Sequence, residues 1–161
     1  MSSASPTDLV LRPATQDDAD TVADVHLRSR AAAVAAGAMP PSVHDAPETR
    51  AWLAARLAVD EVWVAEVHAV EPGATVAGYL RLGDDWLNDL YVVPERAGEG
   101  IGTALLEVAK ALRPGGFGLW VFETNWVARA FYARHGLVEV ERTDGADNEE
   151  HAPDIRVRWR G

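Results

Sequence analysis

The sequence predicts one α+β domain built around a mixed, mostly antiparallel sheet. Segments that alternate apolar and polar residues, the period of a half-buried strand, are interleaved with segments whose apolar residues recur every three to four positions. Gly, Pro and Gly-Asp turns close these segments off, and no linker or internal repeat separates them. The 161 residues are enough to bury a single core. The expected domain spans residues 1–161, with the small, polar residues 1–7 as a flexible N-terminal segment.

Residues 9–12 alternate and stop at Pro13, giving a first strand. Thr15-Gln-Asp-Asp18 resembles a capping box with Asp in the fourth place. Val22, Val25 and Ser29 then carry a first helix to about Ala36, ended near Gly37. Residues 38–47 hold Pro40, Pro41 and Pro47 and read as a loop; Pro47 suits the first turn of a second helix marked by Trp52, Leu53, Arg56 and Leu57. Residues 61–67 and 75–82 alternate around a turn at 71–73, which makes a hairpin. After a turn at 83–85, residues 86–93 form a further strand stopped by Pro94. Ile101, Leu105, Val108 and Leu112 share one helical face, and Arg113-Pro-Gly-Gly116 ends that helix. Strands at 117–122, 137–141 and 155–159 and a short helix at 125–134, with Gly136 in the C′ position, complete the series.

Composition excludes several classes. Apolar residues make up 48% and charged residues 25%, ordinary for a globular protein. With no cysteine there is no disulfide framework, thiolate nucleophile or cysteine metal site. His26, His44, His68, His135 and His151 show no H-x-x-x-H or H-E-x-x-H spacing, so no metal is expected, and each reads as a surface or packing residue. None of the serines sits in a G-x-S-x-G elbow, which argues against a serine hydrolase. The net charge of −10 argues against nucleic acid. No basic-then-apolar leader is present, and the alanine-rich stretch 31–41 is far under a membrane span; a cytoplasmic protein without a membrane partner is expected.

Gly98, Gly100 and Gly102 join a strand to a helix. Glycine accepts φ > 0 and lets a ligand approach the main chain. The helix N-terminus behind it offers unpaired N–H groups and a positive dipole end, suited to a pyrophosphate. The spacing is neither G-x-G-x-x-G nor G-x-x-x-x-G-K-[ST], which disfavours a Rossmann site and excludes a P-loop.

The run Leu90-Tyr-Val-Val-Pro-Glu-Arg-Ala-Gly-Glu-Gly-Ile-Gly-Thr-Ala-Leu-Leu106 resembles the acetyl-CoA motif of the GNAT (GCN5-related N-acetyltransferase) superfamily, Q/R-x-x-G-x-G/A after a strand reading L-Y-V-x-P. Gly98, Gly100, Gly102 and Thr103 fit it; Ala97 departs from the usual Gln or Arg, with Arg96 one residue earlier. Downstream, Asn125-Trp-Val-Ala-Arg-Ala-Phe131-Tyr132-Ala-Arg-His-Gly136-Leu137 resembles the second GNAT signature, N-x-x-A-x-x-F-Y-x-x-x-G-F. The segment from Arg142 through Trp159 resembles one seen in a bacterial subgroup.

The resemblance covers nearly the whole chain and implies a GNAT-type fold of about seven strands and four helices. It implies an acetyl-CoA-dependent N-acetyltransferase acting on a primary amine by direct attack in a ternary complex. Tyr91, Val92, Val93, Arg96, Ala97, Gly98, Glu99, Gly100, Ile101, Gly102, Thr103, Asn125 and Tyr132 are the implied coenzyme contacts. Backbone N–H groups at Val92–Val93 would polarise the thioester, Asn125 would meet the pantetheine arm, and Tyr132 would be the general acid. Phe131 is expected to point to the core while Tyr132 faces the cleft. Asp89 is the candidate on the base side. Trp52 and Trp86 fall near the acceptor side. Asp84, Asp85 and Asp89, on an acidic chain, suggest a small cationic amine as acceptor. The alternating Ile155, Val157 and Trp159 would suit a strand at or near a sheet edge and hence a homodimer. An inert GNAT-like module that binds acyl-CoA as a sensor or partner is the alternative: Tyr132 favours the enzyme, Ala97 the module.

Overall fold

The computed structural model describes residues 8–68 and 73–161, so the expected segment 1–7 and all of the 71–73 turn except Gly73 lie outside the described residues. Seven strands and four α-helices follow in the order β1 (Asp8–Pro13), α1 (Ala19–Ala35), α2 (Ala46–Leu57), β2 (Glu61–His68), β3 (Ala74–Leu82), β4 (Leu87–Val92), α3 (Ile101–Leu112), β5 (Phe117–Phe122), α4 (Trp126–Arg134), β6 (Val138–Thr143) and β7 (Asp154–Trp159). The strands form two antiparallel sheets, β1-β2-β3-β4 and β5-β7-β6. The parallel element expected of a mixed sheet is reduced to one bridge between them, Trp86 with Gly118. None of the described helices is long and apolar enough to cross a membrane.

Strand β3 explains the layering. Ala77, Tyr79, Leu80 and Leu82 are at most 2% exposed, so both faces of the strand are covered. Val22, Val25 and His26 of α1 are among the buried residues on one side, and Ile101, Leu105, Leu106 and Ala109 of α3 are buried on the other. A side chain at Gly78 would meet Tyr91 O at 2.9 Å and Leu105 Cδ1 at 3.2 Å, so glycine lets α3 lie close on the sheet. The helix is apolar along one stripe, and burying that stripe is what holds it there.

One expectation is corrected. Strand β7 is the middle strand of its sheet, paired with both β5 and β6, and it is not at an edge. Ile155 and Val157 are buried because they face the core, and Trp159 packs on Phe117 at 5.4 Å. The apolar alternation of β7 is thus used inside the domain and gives no support to a homodimer.

The turn before α1 is held by charge. Arg12 donates from Nη1 and Nη2 to the two carboxylate oxygens of Asp18, both at 2.8 Å, and from Nε to Glu66 at 2.7 Å. The Thr15 N–H donates to Asp18 Oδ2 at 2.7 Å, the return arm of the expected capping box. The Arg12 guanidinium holds the Asp18 carboxyl below its ordinary value, against the opposing effect of burial. A depressed carboxyl contributes its stability above the unfolded value, near pH ~4, and loses it as pH falls through the folded value. Asp18→Ala is expected to cost about 1–3 kcal/mol near neutral pH. Urea unfolding should show that difference shrinking toward pH ~3; a penalty that does not change with pH would assign it to packing.

Candidate active site

Gly118 N donates to Asp85 O at 2.9 Å beside the Trp86 bridge, and there β4 and β5 touch. Beyond that point they do not pair, and a cleft of about 960 Å³ opens between the sheets. Its walls include β4 from Leu87 to Tyr91, β5 from Leu119 to Phe122, and Ala128 and Tyr132 of α4 with its N-cap Asn125. His26 and Arg30 of α1, Trp52 of α2 and the β6–β7 loop border the rest.

Strand β4 presents main-chain groups to this opening. Val93 N donates to Ala77 O at 2.8 Å, while Val92 pairs with Gly78. Successive residues of an antiparallel ladder turn their polar groups to opposite sides, so the Val92 N–H points away from β3. The Val92 carbonyl, turned the same way, accepts from Ser29 Oγ at 2.9 Å.

The glycine turn follows. Residues Pro94–Arg96 make a 3-10 turn in which the Arg96 and Ala97 amides donate to Val93 O and Pro94 O. Those two amides are therefore used internally. Gly98 and Gly100 have φ of 80° and 85°, a conformation that favours glycine, and Gly100 caps α3. Among the described residues the amides of Gly98, Glu99, Gly100, Ile101, Gly102 and Thr103 have no main-chain partner, the unpaired set of a helix start. A side chain at Gly102 would lie 3.5 Å from Phe131 Cζ, so Phe131 packs beneath the turn and ties α4 to it. Arg96 is paired with Glu99 at 3.2 Å.

Tyr132 lies in the cleft wall and is only 9% exposed, more buried than Phe131. Burial, reinforced by Tyr91 and Asp89, raises its pKa, so the phenol stays protonated at neutral pH. Asn125 Oδ1 accepts from Ala128 N at 3.2 Å and so caps α4, while its side chain also lines the cleft. Tyr91, pushed up to about 12 chiefly by burial, stands between these groups and α1.

Asp89 lies in the cleft wall but is 7% exposed, and its carboxylate is engaged. Oδ2 accepts from Tyr79 Oη at 2.9 Å and from Arg81 Nε at 2.7 Å. Arg81 also donates to Asp60 at 2.7 Å and lies 4.6 Å from the centre of the Trp52 ring. Asp84 and Asp85 do not line the cleft; Arg113 instead ties down the Gly83 and Asp84 carbonyls. Trp52 borders the cleft as expected. Trp86 does not, but stacks on Trp120, which does.

Sequence reasoning missed His26, Arg81 and the acids of the β6–β7 loop. His26 is buried and shares the inward face of α1 with Val22 and Ser29, four and three residues away; that spacing was the available signal. Asp144, Asp147, Glu149 and Glu150 of that loop border the cleft, with Glu141 of β6 beside them. His44 bridges the α1–α2 loop to this rim, with Nδ1 3.1 Å from Glu48 and Nε2 3.0 Å from Glu149, and both carboxylates raise its pKa. Among the described residues no cluster of three or more His, Asp or Glu is arranged to hold a metal.

A family model described as an acetyltransferase (GNAT) domain matches residues 52–139, more than half of the chain. The chain belongs to the GNAT acetyltransferase family. No curated protein matches the sequence. Solved GNAT structures share the fold. The GCN5-related N-acetyltransferase from Rhodopseudomonas palustris is 21% identical with a TM-score of 0.75, covering 98% of this chain and 99% of its own. PaiA N-acetyltransferase from Thermoplasma acidophilum, in complex with coenzyme A, is 19% identical with a TM-score of 0.70, covering 96% and 99%. YncA from Salmonella typhimurium, with acetyl-CoA, is 20% identical with a TM-score of 0.68, covering 96% and 94%. The divergent β4 and β5, the glycine turn and α4 are therefore parts of a GNAT frame.

Proposed function

We propose that this GNAT protein transfers the acetyl group of acetyl-CoA to a primary amine by direct attack within the cleft. The observation that carries the reading is the outward Val92 N–H on a strand that leads straight into six unpartnered amides, with a buried phenol in the facing wall. The amides of residues 98–103 and the start of α3 suit the coenzyme's pyrophosphate. The gap between β4 and β5 suits the pantetheine arm, near Asn125. Val92 N–H, turned away from β3, polarises the thioester carbonyl in this reading, and electrostatic help of that kind contributes most where water is excluded. Tyr132, held protonated, is the donor to the departing thiolate. Coenzyme A in PaiA and acetyl-CoA in YncA support this choice of donor.

The acceptor we propose is a small cationic amine. The support differs from the sequence expectation: it comes from the acidic β6–β7 rim, not from Asp84, Asp85 and Asp89. A field of that sign concentrates amines and weakens with salt.

Release of coenzyme A thiol, screened over polyamines, aminoglycosides, amino acids and peptides, tests both parts. Thiol release is expected with at least one amine, and kcat/KM for cationic acceptors should fall as ionic strength rises. Coenzyme binding without release on any amine would leave the inert module; activity independent of salt would remove the electrostatic part. Tyr132→Phe is expected to lower kcat at least ~10-fold with coenzyme affinity little changed. Wild-type turnover in that variant, with chemistry rate-limiting, would take Tyr132 out of the mechanism. Gly100→Val places a branched side chain where φ is 85° at the mouth of the amide cradle. Calorimetry should show coenzyme binding abolished, and unchanged affinity would move the coenzyme elsewhere.

A further inference from the structure

A buried chain of hydrogen bonds runs from β4 to α1 and ends at the cleft. Tyr79, 0% exposed, has a single hydroxyl proton, and its oxygen stands 2.9 Å from Asp89 Oδ2 and 2.7 Å from His26 Nδ1. Asp89, ion-paired with Arg81, can only accept, so the Tyr79 proton points to Asp89. The Tyr79 oxygen must then accept from His26 Nδ1–H. That order fixes the tautomer: Nδ1 carries the proton and Nε2 carries the lone pair. Nε2 has no hydrogen-bond partner among the described residues and is not one of the buried unpaired atoms, while His26 forms part of the cleft wall beside Tyr91.

We propose that His26 is the general base of the transfer, its Nε2 taking the proton of the acceptor amine while Tyr79 and Asp89 position the ring. This rests on the acetyl transfer proposed above. The acceptor's ammonium first loses a proton to water; the neutral amine then attacks the thioester carbonyl carbon, the C–N bond forms, and the excess proton on the nitrogen passes to His26 Nε2. The C–S bond then breaks, and the thiolate takes the phenolic proton of Tyr132. The imidazolium and phenolate left behind return to their neutral forms by moving one proton from the first to the second through water. Asp89 thus acts on the base side through Tyr79, and Tyr79 and Asp89 are positioning residues.

The charge around the ring suits the task. Burial lowers the His26 pKa below its ordinary 6.5, and Arg30 on the same helix and Arg81 on β3 lower it further; Asp89 on β4 opposes them. Tyr79 and Tyr91, the other titratable groups against the ring, are both held neutral by raised pKa values. The imidazole is therefore a neutral base across the physiological range.

The test combines spectroscopy of the wild-type protein with kinetics on the best amine of the panel. Nitrogen-15 NMR of the His26 ring should show the Nδ1–H tautomer titrating below pH 6.5; an Nε2–H tautomer overturns the proposal whether or not any variant folds. Wild-type kcat/KM should fall in acid through the same pKa. His26→Gln should lower kcat on the order of 10²-fold, abolish that acid limb and leave acetyl-CoA affinity unchanged. Added imidazole should restore part of the rate. Tyr79→Phe should shift the limb and lower kcat less than His26→Gln does. An active wild type whose His26→Gln variant keeps both kcat and the acid limb overturns the role of His26 alone. A wild type that acetylates no amine overturns the proposed function, and the base falls with it.

Discussion

At Gly118 the chain has no side chain because the indole of Trp86 occupies that space: a Cβ there would lie 2.8 Å from Trp86 Cζ3. This close approach allows the parallel bridge between Trp86, just before β4, and Gly118 of β5, reinforced by Gly118 N–H to Asp85 O. Among the described residues no other bridge joins the two sheets, and the cleft depends on that. Two twisted sheets joined at one end must diverge at the other. The divergence leaves β4 with main-chain groups that no neighbouring strand satisfies, in a protein interior where such groups are otherwise paired. Ser29 takes the Val92 carbonyl, and the Val92 N–H stays turned toward the gap.

The same divergence sets what surrounds the gap. Strand β3 is buried on both faces, so α1 and α3 are fixed relative to β4, and the Ser29 hydroxyl on α1 takes the Val92 carbonyl. Phe131 beneath Gly102 fixes α4 relative to the glycine turn, and Tyr132, its neighbour, is thereby set in the opposite wall of the cleft. The two sequence signatures, a strand apart along the chain, are thus in physical contact. A substitution that moved Phe131 would disturb the turn and the phenol together.

Between these walls the acid groups divide into two kinds. The carboxylates of Asp60 and Asp89 are largely covered and share Arg81, whose guanidinium offsets the desolvation of both. Charges of this sort cost several kcal/mol to leave unpaired, so they order the site and do not attract ligands. The carboxylates of the β6–β7 loop stand at the rim, nearer to solvent, where long-range attraction operates. Treating Asp84, Asp85 and Asp89 as one attractive cluster confused the two kinds, because sequence proximity carries no information on burial.

Local patterns decided much of this protein. The period of the apolar residues, the prolines and the glycines gave nearly every element to within a few residues, since strands, helices and turns answer to neighbours a few positions away. The glycine turn and the Asn125–Leu137 signature were legible for the same reason: φ > 0 at Gly98 and Gly100 and the helix face of Tyr132 are local facts. Three things were settled only by the tertiary structure. Strand β7 is central, because its partners β5 and β6 lie up to some forty residues away in the chain. The Arg96 and Ala97 amides are used within their own turn, which residue identity does not disclose. His26 reads as a lone helix residue until Tyr79 and Asp89, more than fifty positions on, reach it through two hydrogen bonds. Hydrogen-bond direction, burial and charge compensation belong to groups brought together across the chain, and a one-dimensional pattern contains none of them.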